Sequence, residues 1–97
     1  MPNYVIRYRT RPEAAEENAA LIRRVFEALA REKPAGVHYT VLRDAEGLGF
    51  THLVVLDEGL AENPMLALEA FQAFQKGARA RCAEGPDRQE LTLLGRY

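Results

Sequence analysis

The chain has 97 residues, with 13 Lys plus Arg against 14 Asp plus Glu and a formal net charge of −1. That length fits one domain, here 1–97, and leaves no room for a second. Apolar residues make up 47% and charged residues 28%, which excludes bulk disorder, and the balanced charge argues against a dedicated binder of nucleic acid or anionic membrane.

One Cys cannot close an internal disulfide, which fits a reducing compartment. The longest strongly apolar run is Leu53-Val54-Val55-Leu56, too short to cross a bilayer. The opening segment Met1-Pro2-Asn3-Tyr4-Val5-Ile6-Arg7-Tyr8-Arg9 is charged too early and too often for a signal peptide. The expectation is a soluble cytoplasmic domain.

Tyr4 to Arg9 alternates Tyr4/Ile6/Tyr8 with Val5/Arg7/Arg9, a strand pattern. Thr10-Arg11-Pro12-Glu13 has the spacing of a capping box, with Pro12 in the first turn of a helix. Residues 11 to 33 carry a helical stripe of Ala15, Ala19, Ile22, Phe26 and Leu29, widened by Leu21 and Val25. Acidic residues near its start and basic ones near its end suit the helix dipole, and Pro34-Ala35-Gly36 stops it. Val37 to Arg43 is a second strand, Asp44 to Gly49 a turn, and Phe50 to Asp57 a third strand completing a hairpin. Asn63-Pro64 opens a second helix, Asn63 as cap. Its stripe is Met65, Leu68, Phe71, Phe74, Ala78 and Cys82, and Glu84-Gly85-Pro86 ends it. Gln89 to Tyr97 is the last strand.

The order is β-α-β-β-α-β, two βαβ halves at roughly 3–43 and 49–97 with no low-complexity linker between them. Right-handed crossovers then give an α+β, ferredoxin-like fold: a four-stranded antiparallel sheet with both helices on one face. The free face should be polar if it meets water, yet three strands carry apolar side chains on both faces. Val37, Tyr39 and Val41 oppose Leu42; Phe50, Val54 and Leu56 oppose Leu53 and Val55; Leu91 and Leu93 oppose Leu94. Such a patch marks an interface, and the economical solution is a homodimer with sheet packed on sheet.

Three stretches carry a wider resemblance: Tyr8-Arg9-Thr10-Arg11-Pro12-Glu13; Gly36-Val37-His38-Tyr39-Thr40-Val41-Leu42-Arg43-Asp44; and Phe50 to Asp57 followed by Phe71-Gln72-Ala73-Phe74. On these the sequence resembles the dimeric α/β-barrel superfamily, in particular the small antibiotic-biosynthesis-monooxygenase-like proteins. The resemblance covers nearly the whole chain through motifs that are mainly structural. It implies a dimeric barrel with a pocket between sheet and helices. Members include cofactor-free quinone-forming monooxygenases, haem-degrading oxygenases and small proteins of no known activity. The haem-degrading members share an Asn, a Trp and a helix-borne His. This chain has no Trp, and neither of its two His falls in a predicted helix, so haem degradation is not expected. No catalytic set carries over residue by residue, and no cofactor is implied.

His38 and His52 both fall in the hairpin. If Leu42 faces Phe50, then Thr40 faces His52 and His38 is its diagonal neighbour, with Cβ atoms roughly 7–8 Å apart. Such a pair suits proton transfer or ligand contact; the blander reading is a hydrogen-bonded pair at the dimer interface. No carboxylate completes a metal site. Tyr39 is placed on the opposite face, where its hydroxyl either meets a ligand or is satisfied within the core. Arg7 and Arg9 share a face of the first strand and either bind an anionic substrate or pair with Glu90. Phe71 and Phe74, three apart on the second helix, either wall a pocket or simply pack. Cys82 reads as a buried, inert thiol.

Gly47, Gly49 and Phe50 imitate the strand-three signature of an RNA-recognition motif, but Glu46 stands where a base belongs and Leu48 where an aromatic belongs. RNA binding is not expected. The chain has no Ser at all, which excludes a serine nucleophile, and no Cys-x-x-Cys or phosphate loop. Two functions stay open. One is a cofactor-independent monooxygenase acting on a small aromatic or hydrophobic substrate. The other is a non-catalytic homodimeric module, either structural or binding a small hydrophobic ligand or a partner.

Overall fold

The computed structural model describes residues 3–97; Met1 and Pro2, the start of the opening segment, lie outside the described residues. The elements in chain order are β1 (Asn3–Thr10), a 3-10 turn (Pro12–Ala14), α1 (Ala15–Glu32), β2 (Val37–Arg43), β3 (Gly49–Leu56), a second 3-10 turn (Pro64–Ala67), α2 (Glu69–Gln75), α3 (Ala78–Arg81) and β4 (Cys82–Leu91). The four strands form one sheet in the order β2-β3-β1-β4. All three pairings are antiparallel. This is the ferredoxin-like α+β arrangement that the periodicities predict.

The core lies between one sheet face and the helices. Ala19, Ile22 and Val25 from α1, Phe50, Val54 and Leu56 from β3, and Met65, Phe71 and Phe74 from the second helical region make one cluster. Full burial of side chains of the size of Val25 or Met65 is worth roughly 1.5–3 kcal/mol each, which makes this cluster the main cohesive element. Among the described residues no helix is long and apolar enough to cross a membrane.

Four local expectations are corrected. Thr10 caps no helix: it ends β1, is 1% exposed, and its hydroxyl donates to Leu48 O at 3.3 Å. Helix entry is left to Pro12, with Arg11 giving no side-chain cap. The second helix is not continuous. Asn63 does cap its start by accepting from Met65 N, but a 3-10 turn, α2 and the four-residue α3 follow as separate pieces. The break falls at Gly77, whose φ of 81° is left-handed, a conformation natural to glycine. The last strand begins at Cys82, not Gln89, and ends at Leu91; Glu84-Gly85-Pro86 lies inside it. It is an edge strand, so Pro86 has no ladder to interrupt on the free side.

The hairpin register is the fourth correction, and it determines the site. Val41 stands opposite His52, Tyr39 opposite Val54, and Thr40 opposite Leu53. This is one residue away from a register pairing Leu42 with Phe50, and a one-residue slip exchanges the faces of a strand. His52 therefore shares the helix-covered face with Tyr39, while His38 lies on the other.

Candidate functional site

Alternation along β3 buries Phe50, His52, Val54 and Leu56 under the helices. His52 sits in the middle of that row, flanked in register by Ile6 of β1 and Val41 of β2. One step along each neighbouring strand on the same face stands a tyrosine: Tyr8, opposite Phe50, and Tyr39, opposite Val54. Diagonal neighbours across a sheet are within reach of long aromatic side chains. The two phenols close on the imidazole from both sides. Tyr8 Oη lies 2.7 Å from Nε2 and Tyr39 Oη 2.6 Å from Nδ1.

The chain of contacts continues under α1. Asn18 sits on the buried stripe between Ala15 and Ile22, and its Nδ2 donates to Tyr8 Oη at 2.8 Å. Arg81 Nε donates to Asn18 Oδ1 at 2.9 Å. Arg81, at the end of α3, is only 5% exposed. It also donates to Phe74 O at 2.6 Å and Lys76 O at 3.2 Å, and its guanidinium lies over the Phe74 ring. The kink at Gly77 folds Arg81 back beneath the helix so that these carbonyls are within reach. The result is one connected line: Arg81, Asn18, Tyr8, His52, Tyr39.

Tyr8, His52 and Tyr39 of this line border a cavity of about 550 Å³ between the sheet and the second helical region, with Asn18 and Arg81 behind them. That volume falls in the range of small-ligand sites. Tyr4, Ile6, Tyr8, Tyr39, His52 and Val54 form its sheet side, and Phe71, Phe74 and residues 77–80 its helix side, with Cys82 and Pro86 at the β4 end. The aromatic packing is dense. Tyr8 stacks on Phe50 with centroids 5.5 Å apart, Phe74 lies 5.2 Å from His52, and Tyr39 meets Phe71 edge-on while stacking on Phe26.

Burial sets the protonation states. It pushes His52 down to about 4, so the imidazole is neutral at pH 7. It pushes Tyr8 up to about 12, the bond from Asn18 opposing only part of the effect. Burial likewise raises Tyr39. Burial also pushes the Cys82 thiol up, leaving it protonated and weakly nucleophilic. The site is thus a row of neutral donors and acceptors, with a buried guanidinium at its far end.

Of the residues singled out from sequence, Tyr39, His52, Phe71, Phe74 and Cys82 line this cavity. His38 does not. It lies exposed on the opposite sheet face, with Nε2 2.9 Å from Asp57 Oδ1. Arg7 is also absent from the cavity wall. It is exposed, and lines a smaller depression with Arg43 and Asp44. It has no route to Glu90, which stands opposite Tyr4 on the other face; Arg9 pairs with Glu46 instead. Three site residues were missed: Tyr8, Asn18 and Arg81. Asn18 had a signal, a lone amide on an otherwise apolar helical stripe. Tyr8 and Arg81 had none beyond their period. Among the described residues no three His, Cys, Asp or Glu side chains are grouped as a metal would need.

No family model and no curated protein matches the sequence. Solved structures do match. An antibiotic biosynthesis monooxygenase superposes with a TM-score of 0.75 at 18% identity, covering 98% of this chain and 100% of that one. Rv0793 from Mycobacterium tuberculosis gives 0.74 at 16%, covering 99% and 98%. SnoaB, a cofactor-independent oxygenase from Streptomyces nogalater, gives 0.68 at 20%, covering 98% and 94%. The chain therefore has the fold of the antibiotic-biosynthesis-monooxygenase-like proteins over nearly its whole length. At these identities the likeness is one of fold.

Proposed function

We propose that the cavity binds a small, flat aromatic molecule and that the protein oxygenates it without a cofactor. The observation that carries this reading is the Tyr8–His52–Tyr39 triplet facing an apolar, aromatic-walled cavity of about 550 Å³. The likeness in fold to a protein described as a cofactor-independent oxygenase supports it. Phe71 and Phe74 would flank the ring system, and the polar triplet would hold an oxygen substituent. The reaction class is R₂CH₂ + O₂ → R₂C=O + H₂O, in which the methylene carbon is oxidised and O₂ reduced, one oxygen atom entering the product and the other leaving as water. His38 and Arg7 have no part in it.

A second reading, binding without turnover, is favoured by one observation. An imidazole pushed down to about 4 is a weak base. Under it the same cavity holds the same kind of ligand, and the protein acts as a homodimeric binding module. In both readings the sheet face turned away from the helices, where Leu42 and Leu53 stand exposed, is the homodimer interface.

The test is oxygen uptake with anthrone, an aromatic with an activated methylene and a carbonyl. Uptake above the spontaneous rate, with anthraquinone as product and loss of the excess in His52→Ala, supports the oxygenase. Saturable binding of anthrone with no excess uptake selects the binding module.

A further inference from the structure

The hydrogen-bond line has a direction, and the direction has a source. A guanidinium only donates, so the Asn18 atom facing Arg81 Nε must be the carbonyl oxygen Oδ1. The amide nitrogen then faces Tyr8 and donates to its oxygen. Next come two bonds, Tyr8 to Nε2 and Tyr39 to Nδ1, shared among two phenols and one neutral imidazole. Those three groups own three protons, so one phenol proton is left over. If Tyr8 donates to Nε2, the imidazole carries its proton on Nδ1 and gives it to Tyr39, whose hydroxyl is the one left free. If the tautomer is reversed, Tyr8 must accept from Asn18 and His52 together, and two opposed chains collide at its oxygen. A chain running one way from the buried cation polarises each bond in the same sense.

We infer that Arg81 and Asn18 are positioning residues that fix His52 as the Nδ1–H tautomer, leaving the Tyr39 hydroxyl as the one donor that the hydrogen-bond line does not use, so that the ligand it meets is one presenting an acceptor oxygen, a carbonyl or phenolate. The inference rests on the proposed ligand cavity but not on turnover. It assigns to the site a specificity by polarity: an acceptor-bearing aromatic is held more tightly than an unsubstituted hydrocarbon of the same shape. Asn18→Asp reverses the line with almost no change of shape. The carboxylate accepts from both Arg81 and Tyr8, Tyr8 then accepts from Nε2–H, and Tyr39 must donate to Nδ1. The line then leaves no proton for a ligand.

The tautomer is read directly by long-range ¹H–¹⁵N correlation of the imidazoles at pH 7.5 in the ¹⁵N-labelled chain. His38→Gln removes the other histidine signal. The expected result is Nδ1–H in the parent and Nε2–H in Asn18→Asp. A parent in the Nε2–H form overturns the inference without any variant, and an unchanged tautomer in a folded Asn18→Asp overturns the role of the amide. For the ligand, the probes are 1,4-naphthoquinone, which only accepts, and naphthalene. Naphthoquinone is expected to bind more tightly, and Tyr39→Phe to weaken it by about tenfold with little effect on naphthalene. Binding of neither probe, or of both alike, overturns the assigned ligand class. A failure of oxygen uptake alongside these results would count against the oxygenase and leave the polarity standing.

Discussion

Tyr39 and His52 come from facing strands, one diagonal step apart across the β2–β3 ladder, and their polar atoms meet at 2.6 Å. The imidazole cannot turn without breaking this bond or the one to Tyr8 on its other side. Removing the hydroxyl should therefore be felt in stability as well as in binding. Tyr39→Phe leaves a buried ring nitrogen unpaired, a loss of about 1–2 kcal/mol. Urea unfolding should show a lower midpoint with an unchanged slope, since the surface exposed on unfolding is the same. A midpoint equal to the parent's would mean that the bond contributes nothing.

The second prediction concerns pH. Folding pushes His52 down from its ordinary 6.5 to about 4 because burial penalises the charged ring. Between those values the unfolded chain binds the proton and the folded chain does not. Stability from this group is thus complete above about pH 6.5 and is lost progressively as pH falls to about 4, for a total of about 3 kcal/mol. Glu16 and Asp44 are held low by the Arg43 side chain and by backbone hydrogen bonds from Gly49 respectively. They add losses at low pH too, so the informative quantity is the difference between the parent and His52→Gln. That difference should shrink from pH 7 to pH 4. A constant difference would show that His52 is not held neutral.

The elements that the sequence made legible, in kind and position, are those whose period runs unbroken from end to end. β1, α1 and β3 form where their periods place them, although Val5 and Val55 are buried on the face turned from the helices and Phe26 of the α1 stripe is exposed, and Asn63-Pro64 starts a helical region with the side-chain bond that its identity implies. The site was half legible for a geometric reason. A turn spanning Asp44 to Leu48 allows neighbouring registers, and only the choice that lays Val37, Tyr39 and Val41 beside His52 and Val54 joins apolar faces. His52 already shares parity with Phe50, Val54 and Leu56, and that parity was the available clue. The second helical region hid its break because Ala78 and Cys82 continue the stripe of Phe71 and Phe74 straight across Gly77. β4 hid its start because Cys82–Leu91 is an exposed edge with Gly85-Pro86 inside it, and an edge open to water needs no alternation.

The kink itself is open to test. Gly77 holds φ at 81°, where a β-carbon is strained by roughly 1–2 kcal/mol. The added methyl would meet only Arg81 Nη1, at an ordinary 3.5 Å, so the strain is in the backbone. Gly77→Ala should lower the melting temperature by several degrees, roughly 4–8 °C per kcal/mol for a domain of this size. An unchanged melting temperature would mean that α2 and α3 can join differently, and with them the path that brings Arg81 to Asn18.

The last prediction concerns the sheet face that the helices leave open. Its residues alternate with those of the site: Leu42 lies next to Val41, and Leu53 next to His52, on the other side of the ladder. Leu42 is 63% exposed and Leu53 36% exposed, with Leu91 on the same face of β4. Branched apolar side chains at outward positions of β2, β3 and β4 give a face that water solvates poorly, and a second copy offers the same face in return. Sedimentation at micromolar concentration should show a dimer. Leu53→Asp places a carboxylate on that face and should weaken association by at least about tenfold. Because Leu53 points away from the cavity, the variant should keep the His52 tautomer of the parent. A monomeric parent would refute the interface; a dimer untouched by Leu53→Asp would move it to another surface.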